Sequence, residues 1–130
     1  MTKQVVQSTT NERGGVSHAS FEEVQSKEFN WEDFGRGDCH QTQGKLILSA
    51  NGTGYWSCVT WTDHTHTHDV WHCHFDVVTA QQAKLFNKPQ FDSPDMSDGD
   101  PPPHYEWGNA FTFDGDKYDA IGGVLQYCGC

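Results

Sequence analysis

The dipeptide Asn51-Gly52 constrains this chain more than any other short segment, because a strand-forming run stands on each side of it. Asn-Gly is the strongest short signal for a hairpin turn, since both residues tolerate positive φ. Lys45–Ala50 reads as one strand, and Tyr55–Thr62, rich in aromatic and β-branched residues, as the next. A chain that must make this hairpin is committed locally to antiparallel sheet. The same grammar recurs elsewhere. Phe29-Asn30-Trp31 alternates, and Gly35-Arg36-Gly37-Asp38 reads as a turn. Asp69–Thr79 places Trp71, Cys73, Phe75 and Val77 on one face by period two. Two short strands follow at His104–Trp107 and Ala110–Phe113, then an Asp114-Gly115 turn and a closing run from Ala120 to Tyr127. Residues 80–88 read either as a short helix, from the propensity of Gln81 to Leu85, or as continued sheet. Pro89 is expected to end whichever forms. Residues 92–104, with Pro101-Pro102-Pro103, read as a loop long enough to be a rim or lid.

Short strands with little helix predict an all-β fold: a small antiparallel meander β-barrel, with a β-sandwich as the alternative. Residues 27–130 form the single domain expected at this length. Residues 1–26 are polar, carry Gly14-Gly15, and read as a flexible N-terminal arm. Leu, Ile and Met are few, while Phe, Trp and Tyr make up 13 % of the chain, so aromatic rings must build much of the core.

Eighteen Asp and Glu against eight Lys and Arg give a net charge of -10 at pH 7. Such a chain does not neutralise phosphates, which excludes nucleic acid and an anionic membrane surface as partners. Residues 91–130 carry seven Asp and one Glu against Lys117 alone. Asp95, Asp98 and Asp100, or Asp114, Asp116 and Asp119, are Ca²⁺-type ligands, but neither run has the spacing of an EF-hand loop. No apolar run reaches the roughly 20 residues of a spanning helix. Met1 to Gln7 has no apolar signal-peptide region, which suggests a cytoplasmic protein, or a secreted one if a leader was removed.

Five of the eight histidines, His64, His66, His68, His72 and His74, fall within eleven residues beside Asp63, Asp69 and Cys73. Neutral imidazole is a common metal ligand, so the cluster with Asp69 is a candidate site for Zn²⁺, Cu²⁺ or Ni²⁺. A hairpin centred near Thr65-His66 would crowd His64, His66 and His68 at its tip. It would set Cys58 opposite Cys73 and Trp61 opposite Val70, with His72 and His74 on the face opposite Trp71 and Cys73. The competing reading is a solvated, polar hairpin end. Protonation near the unperturbed His value of ~6.5 would charge the segment and block metal binding.

Aromatic residues beside Asp and Asn can line a pocket or stack a sugar ring. Trp56, Trp61, Trp71, Tyr105 and Trp107 are therefore candidate ligand-binding residues, against the simpler reading that such rings are core. The function expected is binding of a small-molecule or glycan ligand in an aromatic pocket. The alternatives are a small enzyme (an isomerase, a cyclase or a metal-assisted catalyst using Asp and His in the cavity) and a lectin-like or toxin-like partner-binding protein.

Five cysteines allow at most two internal disulfides and leave one thiol. Cys39 with Cys128 or Cys130, and Cys58 with Cys73, are the candidate pairs. Phe29-x-Trp31, Gly37-Asp38-Cys39, Asn51-Gly52-Thr53, Asp69-x-Trp71, Tyr105-x-Trp107, Phe111 and the terminal Cys130 together resemble a family of small bacterial β-rich domains over about residues 28–130. The resemblance implies a compact β-rich domain with the first and last cysteines paired, and no activity. The His-Thr repeat departs from the family pattern, in which that hairpin tip is rich in Ser and Asp.

Overall fold

The computed structural model describes residues 2–9, 22–65 and 67–130. The strands, in chain order, are β1 (Thr2–Thr9), β2 (Glu22–Asn30), β3 (Phe34–Arg36), β4 (Cys39–Ser49), β5 (Thr53–Thr62), β6 (His72–Val78), β7 (Lys84–Asp92), β8 (Tyr105–Thr112) and β9 (Gly123–Gly129). Among the described residues one 3-10 segment, Gly115–Ala120, precedes β9 and is capped by the Asp114 carboxylate, which accepts from Asp116 N. The fold is all-β and every strand ladder is antiparallel. No helix among the described residues is long and apolar enough to cross a membrane.

The strands form two sheets. One runs β1-β2-β4-β5-β8, with β3 also pairing β4; the other runs β7-β6-β9. No ladder among the described residues closes these sheets on themselves. The chain leaves the first sheet after β5, returns to it with β8 and leaves again for β9. That path corrects the meander expectation and the register built on it. β5 pairs β8 and sets Cys58 opposite Trp107, while β6 pairs β9 and sets Cys73 opposite Cys128. The segment between β5 and β6 is thus a crossover between sheets, not a hairpin tip.

The core lies between the sheets. Phe29, Leu46, Leu48, Trp56 and Cys58 from the first meet Cys73, Phe75 and Val77 from the second, with Tyr118 and Ile121 closing one side. The rings carry much of it: Trp56 lies 4.9 Å from Phe75 and 5.7 Å, edge-on, from Trp31. A second cluster joins Cys39, Trp71 and Met96. Trp71, Cys73, Phe75 and Val77 are all buried, on the one face that period two assigns them.

Local chemistry explains most of the other differences. Ser49 O accepts from Gly52 N, so the β4–β5 turn spans Ser49 to Gly52, and Asn51 Oδ1 accepts from Thr53 N. Gly52 stands at φ 88°, and a β-carbon there would meet Phe113 O at 2.7 Å, so only glycine fits. Residues 84–92 are strand, not helix, and β7 runs through Pro89. The ladder shifts register there, between Cys73 and Phe75, and β7 is an edge strand, the two settings in which proline's missing N–H is tolerated. The late strands at 104–107 and 110–113 are one strand, β8, because Gly108 and Asn109 continue the ladder to β5. Near the N-terminus, β1 pairs β2, so the expected boundary at residues 26/27 falls inside β2. Residues 10–21 of the expected arm lie outside the described residues.

Candidate functional site

The clearest cavity begins with a defect in β4. Thr42 pairs with Val59 and Lys45 with Ser57, so Gln43 and Gly44 together face Cys58 alone. Gln43 takes φ 56°, and Trp31 N donates to Gly44 O at 3.0 Å. This bulge reverses the inward parity of the strand. Cys39 and Gln41 point inward before it, and Leu46 and Leu48 after it. It also turns Gln43 and Lys45 toward an open cleft of about 540 Å³.

The cleft crosses four strands. Asn30, Lys45, Ser57 and Gly108 lie side by side in register across β2, β4, β5 and β8. Gln43 and Glu106 add two more polar groups and Tyr55 an outward ring, while Trp31 and Trp107, also in the lining, pack their rings against the core residue Trp56. Tyr55 is half-exposed, and its ring reaches over Gly108; a β-carbon at 108 would come within 2.6 Å of Tyr55 Oη. The absence of a side chain at 108 is what lets the phenol lie there. Trp107 is fixed from behind, its Nε1 donating to Thr60 Oγ1 at 2.9 Å. The site therefore presents one cation, one anion, amide and hydroxyl groups and an exposed ring on one four-strand face.

Of the five rings proposed from sequence as ligand-binding, Trp107 alone lines this cleft. Trp56 and Trp71 are wholly buried core residues, and Trp71 Nε1 donates to Gln41 Oε1 at 2.9 Å. Trp61 is stacked between His40 and His104, at 5.0 and 4.3 Å. Tyr105 Oη accepts from Ser97 N. Tyr55 was missed, although alternation with the buried Trp56 already marks it as the outward ring of β5.

The histidines spread along the crossover and β6. His64 Nδ1 lies 3.7 Å from Asp98 Oδ2, which also accepts from Thr65 N. His66 lies outside the described residues. His68 is exposed, and Asp69 accepts from Thr62 and Thr65 hydroxyls. His72 Nδ1 meets Asp92 Oδ1 at 2.8 Å, and His74 stacks on Tyr127 at 4.9 Å. Among the described residues, the group of three metal-type ligands close enough for one ion is Cys39, Asp69 and Cys130, and its two sulfurs are bonded to each other.

Cys39 and Cys130 form a disulfide with Cα atoms 5.8 Å apart, the pairing of first and last cysteines that the resemblance implies. Cys58, Cys73 and Cys128 are thiols. Burial and then the neighbouring Cys73 push the Cys58 pKa up.

No curated protein and no solved structure matches the chain. The model of one family, described as a family of unknown function (DUF6294), matches residues 45–130, a span that holds β5, β8, Lys45 and Tyr55 of the cleft as well as Cys130; the chain belongs to that family.

Proposed function

We propose that this protein is a small binding module that takes a polar, hydroxyl-rich ligand of saccharide size in the cleft over Tyr55. The observation that carries the reading is the combination of an exposed ring and a register-aligned polar row on one sheet face. A cleft of about 540 Å³ suits a small ligand. Its openness and its mix of amide, hydroxyl and charged groups favour a ligand that stays partly hydrated over an apolar one. Tyr55 would stack against the ligand's apolar face, while Asn30, Gln43, Lys45 and Glu106 would bond its hydroxyls. We read the framework as a two-sheet sandwich rather than a barrel, a reading supported by the shared core and by the lack of a closing ladder among the described residues.

Titration of the protein with mono- and oligosaccharides, followed by amide and indole NMR shifts, tests the reading. Saturable shifts at Trp31, Trp107 and the β5 amides are expected, lost in Tyr55→Ala without change in the rest of the spectrum. Shifts confined to residues remote from β4, β5 and β8, or none at millimolar saccharide, would refute it.

A further inference from the structure

Cys73 and Cys128 stand directly opposite each other on β6 and β9. Residues so placed in an antiparallel ladder have Cα atoms about 4.5 or 5.5 Å apart, according to hydrogen-bond class. Both separations fall inside the roughly 4.4–6.8 Å window of disulfides, so no backbone movement is needed to join them. The two thiols differ in access. Cys73 is 1 % exposed, within the core that holds Phe75 and Val77. Cys128 is half-buried and packs at the junction of the two core clusters. Cys58 belongs to the other sheet and is itself buried.

We propose that Cys73 and Cys128 are a dithiol site that closes to a second, cross-strand disulfide on reaction with a low-molecular-weight disulfide. The half-buried Cys128 thiolate attacks one sulfur of the reagent, forming a mixed disulfide and releasing one reagent thiolate. Cys73 then gives up its proton and attacks Cys128 Sγ. The Cys73–Cys128 bond forms, the mixed disulfide breaks, and the second reagent thiolate leaves. Two protein thiols are oxidised, and one reagent disulfide is reduced to two thiols. Hydrogen bonding with Cys128, and then burial, push the Cys73 pKa up, which assigns the first attack to Cys128. The closed form ties β9, an edge strand, to the protein twice, at Cys128 and at Cys130 two residues on.

The test is incubation of the full-length protein with oxidised glutathione, followed by intact mass and non-reducing peptide mapping. The expected product lacks two hydrogens, carries a Cys73–Cys128 link and retains one alkylatable thiol, at Cys58. Cys58→Ala should close at the rate of the unsubstituted protein, and Cys73→Ala should stop at a glutathione adduct on Cys128. Should Cys73→Ala fail to fold, mapping of the unsubstituted protein still decides. Three persistent thiols, a Cys58–Cys73 link, a Cys128–Cys130 link or a lasting adduct on Cys128 of the unsubstituted protein would each overturn the proposal.

Discussion

Replacing Cys130 by Ser removes the single disulfide and little else. The bond joins residues 91 apart in sequence. In the chain-entropy account, opening a loop of that length costs about 4–5 kcal/mol, because the unfolded chain regains the freedom that the bond denied it. Unfolding entropy near the midpoint is about 2.1 cal/mol/K per residue, or about 0.27 kcal/mol/K for this chain, so Tm should fall by roughly 15–18 °C. The substitution is a clean one. Cys130 is exposed, so Ser meets water there, while Cys39 is wholly buried and stays in place as a small apolar side chain. Replacing Cys39 instead would add a buried hydroxyl and confuse two effects. Thermal melts followed by circular dichroism, with and without reductant, provide the assay. The reduced protein and Cys130→Ser should melt together, and reductant should not lower Cys130→Ser further. A fall of less than about 5 °C on the same conversion would refute the entropic reasoning. A loss in Cys130→Ser on adding reductant would show that another bond carries the stability.

Two further outcomes follow from side-chain networks. Gln41 is buried, and its Oε1 accepts from Trp71 Nε1 at 2.9 Å and Gln126 Nε2 at 2.8 Å. Gln41→Leu should cost about 1–3 kcal/mol, as expected for stranding a buried donor, read as a lower urea midpoint at unchanged slope. At Asp76, a hydrogen bond from Asn87 and then the charge of Lys84 hold the carboxyl below its ordinary value. A lowered folded pKa contributes stability that is present above the unfolded value and lost as pH falls through the folded one. Asn87→Ala should therefore raise the Asp76 pKa, seen by NMR titration of its carboxyl carbon, and shift that part of acid destabilisation to higher pH. An unmoved Asp76 titration would contradict it.

Much of the strand content was legible because side-chain alternation is a local property. Trp71 to Val77 is the clearest case, with every alternate residue buried. Proline misled the reading at residue 89, since its cost depends on whether the strand is an edge, and that is settled by neighbours far away in sequence. The site was legible only in part. Trp56 and Trp71 look the same in sequence as ligand-binding rings, and only packing distinguishes them. Tyr55, in contrast, carries its outward placement in its parity, and Lys45 enters the cleft only through the Gln43-Gly44 bulge, which no local pattern announces.

The sequence by itself determined an all-β chain, the Asn51-Gly52 hairpin between β4 and β5, and which residues of β6 face inward. Each of these rests on φ/ψ preference or on period two, which act within a few residues. The tertiary structure decided the rest: which strands are neighbours, that the histidine segment crosses between sheets, and that Cys39 meets Cys130 while Cys73 faces Cys128. Those outcomes depend on burying aromatic faces from distant segments against each other. That is a global competition, in which many pairings satisfy the same local rules and only the packed core selects one.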